Sequence, residues 1–148
     1  MGWKELLAEN KVRKHRASKA ELDAIRALIA RDLEDATIDE LSDDSRFATA
    51  YNAALQTPKM SIASAGFRLA SAVGHHRLTF EAALLALGSP AAPSLDFFEA
   101  CRRKRNIIDY DQAAVATHTE AEEIVDQAHA FLKLVERWIA QNHPKLIP

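Results

Sequence analysis

The sequence has a single cysteine, Cys101, and no long run of apolar residues. A single cysteine excludes an internal disulfide and fits a reducing compartment. No segment approaches the roughly 20 apolar residues that a membrane span needs. The first residues, 1–7, lack the apolar core of a signal peptide. We therefore expect a cytoplasmic protein that does not associate with membranes.

Glycine and aromatic residues are also scarce, with only 4 glycines and 7% aromatic residues. Alanine and leucine are abundant instead, and this composition favours helices over sheets. The 148 residues suit one domain with a sizeable core. No internal repeat or low-complexity linker divides the chain, so the sequence predicts a single domain.

The chain also lacks a strong excess of positive or negative charge, since its net charge is only −2 at pH 7. The overall charge therefore does not indicate a nucleic-acid-binding protein. The charges are grouped, however: residues 11–16 and 102–105 are basic, whereas residues 32–44 and 120–126 are acidic. For residues 11–16 a solvated surface is the favoured interpretation and contact with nucleic acid is the alternative.

Apolar residues at helical spacing predict a short leading helix near Trp3 and then about five main helices. Ser18 and Ser42 are predicted to cap the first two main helices, because a short oxygen side chain suits a helix N-terminus. The second of these helices is expected to run as far as Val73. Pro58 lies inside it and is expected to kink or break it.

The remaining helix boundaries are marked by threonine, glycine and proline. Thr79 is predicted to cap a short third helix that ends at Gly88, and residues 89–93 are predicted to form a loop. The fourth helix then spans about 95–109. Thr119, with a glutamate three residues later, is predicted to cap the fifth helix, which ends near Asn142.

No segment has the alternating pattern of a convincing strand. The predicted fold is therefore an all-α, up-and-down helical bundle of about five main helices. Residues 1–17 are expected to form the leading helix and a basic segment, and residues 18–148 the bundle itself.

The most informative segment is 101–110. It contains four consecutive cations, at 102–105, and after them an asparagine, an aspartate and a tyrosine. On a helical wheel Arg105 falls inside an apolar stripe, and Arg102 and Asp109 flank that stripe together. The stripe is made of Phe97, Phe98, Cys101 and Ile108. An arginine directed at a core is costly unless it is paired or faces a cleft. Asp109, four residues on, is the predicted partner, so a polar site bordering the core is expected here.

Residues Arg105-Asn106-Ile107-Ile108-Asp109-Tyr110 resemble the signature of the HEPN superfamily (higher eukaryotes and prokaryotes nucleotide-binding domain). That signature is an arginine, a polar residue, three variable residues and a histidine; Tyr110 stands at the histidine position. The segments 44–47, 50–51 and 66–68 are similar to an uncharacterised bacterial branch of HEPN-like proteins. The resemblance covers about residues 18–142.

The resemblance implies a small all-α bundle that cleaves RNA without a metal ion, yielding a cyclic phosphate. It also implies a homodimer in which the arginine and histidine of the two protomers face each other, and a nucleotidyltransferase partner that neutralises the toxin. Arg105 would contact or polarise the scissile phosphate, and Asn106 would hold the local geometry. Tyr110 would take the acid–base position. The nucleotide or RNA site would comprise Arg102, Arg105, Asn106 and Asp109.

A tyrosine at the histidine position changes the expected chemistry. Histidine titrates at about 6.5 and tyrosine at about 10, so Tyr110 is a poor proton shuttle at neutral pH. We therefore expect a HEPN-like protein that interacts with nucleotides or RNA, as a component of a toxin–antitoxin or defence system. Weak metal-independent ribonuclease activity is one alternative, and in it His76 could replace the missing histidine.

A second alternative is a structural helical adaptor or dimerisation module with no nucleic-acid role. In that interpretation the charges around Arg105 form an ion-pair network that holds the bundle or a dimer together. No cofactor is predicted. His75 and His76 are adjacent but lack further residues at metal-ligand spacing, so no metal site is predicted either. Tyr51, Trp138 and Cys101 are expected to be core residues.

Overall fold

The computed structural model describes residues 2–70, 76–110 and 114–148, without the side chains of Asp109 and Tyr110. The helices in this part are α1 (Trp3–Ala8), α2 (Lys19–Asp35), α3 (Asp43–Ser64), α4 (His76–Leu87), α5 (Ala92–Tyr110) and α6 (His118–Asn142). Two short strands, β1 (Val12–Lys14) and β2 (Phe67–Leu69), form a small antiparallel sheet. The prediction of an all-α helical bundle is confirmed, and its five main helices correspond to α2–α6.

Helix α3 lies at the centre of the bundle and packs against α2, α4, α5 and α6. It is buried on most of its circumference, mainly through alanine, serine and threonine side chains. Small side chains allow the neighbouring helices to approach closely. Helix α3 continues through Pro58 to Ser64, so of the two predicted outcomes, a kink or a break, the break is wrong.

The prediction that the chain has no strand is also wrong. Helix α3 ends at Ser64 instead of continuing to Val73, because Gly66 adopts a φ of +99°, a left-handed conformation that suits glycine. The chain then runs back as β2 alongside β1. Phe67 stacks on Trp3 at 4.1 Å between ring centroids, which fixes the leading helix against this sheet. Each strand has only three residues, which is too short for an alternating apolar and polar pattern to be recognised in the sequence.

The predicted basic surface at 11–16 coincides with β1 and the residues after it. Val12 is buried, whereas Arg13, Lys14 and Arg16 are exposed. The interpretation as a solvated surface is thus confirmed for these three cations, which lie on and beside a strand. Because β1 pairs with β2, the leading segment is joined to the bundle.

Two of the four predicted capping residues, Ser18 and Ser42, are confirmed. Ser18 Oγ accepts a hydrogen bond from the Glu21 backbone N–H, and Ser42 Oγ accepts one from Ser45, each at 3.1 Å. Gly88 ends α4 with a φ of +80°, as predicted. Thr79, predicted as a cap, is instead buried inside α4, which includes His76.

Two boundaries around α5 and α6 differ from the prediction. Residues 89–93 are not an open loop: Ser89–Ala91 form a 3-10 turn and α5 begins at once with Ala92. Helix α6 is capped by Thr117, not Thr119, through a reciprocal pair of hydrogen bonds with Glu120. The threonine–glutamate spacing occurs twice in this segment, and Lys104 of α5 pairs with Glu120. That tertiary contact favours the first pair.

Asp44 connects the start of α3 to the segment before α6. Its carboxylate accepts hydrogen bonds from the backbone N–H groups of Ala116 at 2.7 Å and Val115 at 3.2 Å. These bonds, chiefly the one from Ala116, hold the pKa of Asp44 below its usual value. The sequence predicted only a favourable charge at the helix N-terminus, so this second role is a finding of the structure.

We predict that Asp44→Ala lowers the free energy of unfolding by about 1–2 kcal/mol, because two backbone donors lose their charged acceptor. Urea denaturation of both proteins measures the difference. Asp39→Ala, at an exposed position, serves as the control and should change little. Since the pKa of Asp44 is depressed on folding, its stabilisation is present above the unfolded pKa and disappears as the pH falls through the folded pKa. A difference that persists in strong acid would contradict this assignment.

A polar cluster around Arg105

Helix α5 carries the apolar stripe that the sequence predicts. Phe98 is fully buried, and its ring lies between those of Phe80 and Phe131, at centroid distances of 6.4 and 5.4 Å. The other members of the stripe are partly buried and pack against the core: Phe97, Cys101 and Ile108. Burial raises the pKa of the Cys101 thiol to about 12, so this cysteine remains protonated and unreactive at neutral pH.

The side chain of Arg105 extends from this stripe towards α3. Its Nη2 donates a hydrogen bond to Asn52 Oδ1 at 3.1 Å. The guanidinium carbon lies 6.0 Å from the centroid of the Tyr51 ring, within the range of a cation–π contact. The arginine is thus held by a neutral amide and an aromatic face of another helix. The predicted partner was Asp109, whose side chain lies outside the described part of the chain.

Tyr51 is fully buried, as predicted, but it is more than a core residue. Its hydroxyl group forms a 3.2 Å hydrogen bond with Nδ1 of His76 at the start of α4. Burial, and to a lesser extent the nearby Glu99 carboxylate, raise the pKa of Tyr51 above its usual value. The phenol therefore stays neutral, and it connects His76 on α4 with Arg105 on α5.

The pKa of His76 is shifted in the opposite direction, below its usual value. Burial is the main cause that lowers its pKa, and the cations of Arg105 and Arg102 lower it further. The neutral imidazole is therefore the stable form at pH 7. Nε2 makes no hydrogen bond within the described residues, so it can exchange a proton with a bound molecule.

Arg102 pairs with Glu99, one helical turn earlier. Its Nε and Nη2 atoms both lie 3.1 Å from Glu99 Oε1. The second carboxylate oxygen, Oε2, is buried and accepts no hydrogen bond from the residues that the structure describes. Arg102 and Glu99 thus form an ion pair within α5, and each side chain is about one third exposed, 35% and 34%.

Three helices contribute to this group, which we call the Arg105 cluster. Its members are Tyr51 and Asn52 of α3, His76 of α4, and Glu99, Arg102 and Arg105 of α5. The predicted site residues Arg102, Arg105 and His76 therefore lie together. Asn106 is half-buried on α5 and makes no side-chain hydrogen bond within the described part. Tyr110 ends α5, but its side chain, like that of Asp109, is not described.

Comparison of this chain with protein-family models, with curated proteins and with solved structures finds no match.

The sequence reasoning missed Asn52 and Glu99, and it assigned Tyr51 to the core alone. Asn52 directly follows a buried tyrosine in an alanine-rich part of α3, which is the signal that could have identified it. Glu99 lies three residues before Arg102, at a spacing typical of helical ion pairs. Neither signal specifies a tertiary contact, so the structure was needed to bring them together.

The run of cations divides between the cluster and the surface. Arg103 is exposed. Lys104 forms an ion pair with Glu120 of α6. This contact lowers the pKa of Glu120 below its usual value. Only the two arginines on the α3 side of α5, Arg102 and Arg105, therefore belong to the cluster.

We predict that Arg105→Met raises the pKa of His76 towards its usual value of 6.5, because a neighbouring positive charge that disfavours imidazolium is removed. Histidine ring resonances followed by NMR between acidic and neutral pH measure the change. Arg103→Met removes the same charge from the exposed position on α5 and should leave the His76 titration where it is. An unchanged His76 pKa in Arg105→Met would show that the two groups are not coupled.

Proposed function

We propose that this protein is a HEPN-like protein that binds nucleotides or RNA through the phosphate group, at the Arg105 cluster. The observation that carries the proposal is the position of Arg105, half-buried, oriented by Asn52 and Tyr51 and adjacent to the neutral His76. A guanidinium held in one orientation is suited to phosphate, because its planar donors match the phosphate oxygens. The resemblance of residues 105–110 to the HEPN signature supports the same assignment.

The charge balance of the cluster also favours an anion. Arg102 and Arg105 supply two positive charges, and Glu99 supplies one negative charge, which is engaged by Arg102. The overall charge of −2 does not attract nucleic acid, so such binding depends on this local arrangement.

A homodimer is part of the proposal. In HEPN proteins the arginine and histidine of two protomers face each other, and the partly exposed Arg102 and Arg105 leave the cluster open to a second molecule. A role in a toxin–antitoxin or defence system, with a nucleotidyltransferase partner, follows from the same resemblance. Sedimentation equilibrium at micromolar concentration distinguishes a dimer from a monomer, and a monomer would contradict this part.

We predict that Arg105→Met weakens the binding of single-stranded RNA about tenfold or more, since a charged hydrogen bond to phosphate contributes roughly 1.5–3 kcal/mol. Fluorescence anisotropy with labelled RNA, at low and physiological salt, measures the affinity. Loss of one phosphate contact should also reduce the slope of log K against log salt by about 0.7. Arg102→Met should weaken binding in the same direction.

Arg103→Met is the matched control, because it removes the same charge from an exposed position on the same helix. It should change the affinity much less than Arg105→Met. Equal losses in both variants would indicate a diffuse electrostatic attraction instead of a site. Absence of any RNA or nucleotide binding by the wild type would support the structural adaptor in place of this proposal.

The neutral His76 favours a second candidate function, metal-independent cleavage of RNA. In that reaction a base removes the proton of the 2′-hydroxyl, the 2′-oxygen attacks phosphorus, and the protonated 5′-oxygen leaves, so that a 2′,3′-cyclic phosphate remains. His76 could supply the base, whereas a tyrosine such as Tyr110, with an ordinary pKa of about 10, is a weaker one. Arg105 would stabilise the charge that develops on the phosphate.

We predict that, if wild-type protein releases cyclic-phosphate products, His76→Asn removes cleavage while RNA binding is retained. Electrophoresis of end-labelled RNA, together with the binding assay above, separates the two effects. Tyr110→Phe is the companion variant: loss of cleavage in Tyr110→Phe with full activity in His76→Asn would assign the acid–base role to the tyrosine. Binding without cleavage by the wild type would leave a binding protein only.

A further inference from the structure

A cavity of about 270 Å³ lies beside the Arg105 cluster, between α2, α3, α4 and β2. Its walls are mainly apolar, and the apolar side chains around it are Ile25, Leu55, Ile62, Ala63, Phe67 and Leu69. Ligand pockets for drug-sized molecules typically have volumes of about 300–1,000 Å³. The volume of this cavity therefore suits a smaller molecule with an apolar body.

Lys59 of α3 is a lining residue of this cavity, and its charge is not balanced locally. Its ammonium group forms neither an ion pair nor a hydrogen bond with the residues that the structure describes. The residue as a whole is exposed, but partial desolvation lowers the pKa of its ammonium group below the usual value. A partly desolvated cation without an acceptor is stabilised when an anion binds beside it.

The other charged groups of the cavity do not supply that anion. Glu21 is engaged by His15, whose Nε2 lies 2.8 Å from the carboxylate. Arg68 is exposed and, like Lys59, has no partner within the described residues. By contrast, Lys104 and Arg26 both form ion pairs with carboxylates of α6. The cavity is therefore an apolar space with an excess of positive charge.

We propose that this cavity binds a small monocarboxylate with an apolar body, with its carboxylate at Lys59 and its apolar part against Leu55, Ile62 and Phe67. A monoanion fits better than a phosphate dianion, because the walls are mainly apolar and Glu21 adds negative charge to them. The apolar walls offer little to a ligand that is polar throughout. This inference does not depend on the proposed RNA-binding function.

His76 gives the proposed ligand a physical connection to the Arg105 cluster. The same side chain lines the cavity and forms the hydrogen bond with Tyr51. A bound carboxylate near His76 would favour its protonated form and oppose the effect of Arg105. Occupation of the cavity is therefore expected to shift the His76 ring resonances.

Isothermal titration calorimetry and NMR with hexanoate and benzoate test the proposal. We expect dissociation constants of about 0.1–1 mM, as befits ligands of few atoms. The neutral analogues hexanol and benzyl alcohol should bind at least tenfold more weakly, and inorganic phosphate should not compete. No carboxylate binding at about 10 mM, or tighter binding of phosphate than of either carboxylate, would overturn the proposal.

Lys59→Met keeps the length and apolar stem of the side chain but removes the charge. It should weaken carboxylate binding about tenfold or more and leave the weak binding of the alcohols unchanged. Lys133→Met, at an exposed position of α6, is the matched control and should bind as the wild type does. Equal carboxylate affinity in Lys59→Met and wild type would overturn the assignment of Lys59.

Leu55→Trp is a second variant that fills the cavity and retains Lys59. It should lose carboxylate binding, and retained binding in a folded Leu55→Trp protein would place the ligand elsewhere. Arg105→Met should still bind the carboxylates, so failure of RNA binding and failure of this proposal are separate outcomes. Circular dichroism of each variant establishes that it is folded before binding is compared.

Discussion

The burial of α3 on most of its circumference is the constraint on which the rest of the structure depends. Four other helices pack around it, and almost every residue from Phe47 to Ser64 that faces them is small or apolar. Polar groups that enter such an environment need partners inside the protein. In the second half of α3 the helix supplies them itself: the hydroxyl groups of Thr57, Ser61 and Ser64 donate to carbonyl oxygens of the same helix.

In the first half of α3 this local solution does not suffice. The Tyr51 hydroxyl group extends too far from its own backbone to reach an earlier carbonyl, and it is paired with His76 of α4 instead. Asn52, on the next position, accepts from Arg105 of α5. The same burial that stabilises the bundle thus brings an imidazole and a guanidinium to adjacent positions of α3. The Arg105 cluster follows from the need to satisfy buried polar groups, and it remains partly open to solvent.

His76 lies between the Arg105 cluster and the cavity that Lys59 lines. Residues of α3 contribute to both, and His76 is the side chain that they share. Because burial and two arginines already disfavour its charged form, the protonation of His76 responds to any anion that approaches from either side. The structure offers one physical route by which a small ligand and a phosphate could influence each other. None of the described helices is long and apolar enough to cross a bilayer.

Composition and periodicity determined the helical class, the five main helices, the serine caps at Ser18 and Ser42, and the stop at Gly88, because each depends on residues close in sequence. The burial of Phe98, Tyr51 and Cys101 followed from the same spacing. The pairing of β1 with β2 depended on residues far apart in the chain, which no local pattern encodes. The partners of Arg105 were decided in the same way. A helical wheel offers only neighbours on the same helix, three or four residues away, whereas packing against α3 supplied Asn52 and Tyr51 from a different helix. The sequence alone therefore determined which elements form and which residues are candidates, and only the tertiary structure decided which of them meet, because desolvation and packing act between helices rather than along them.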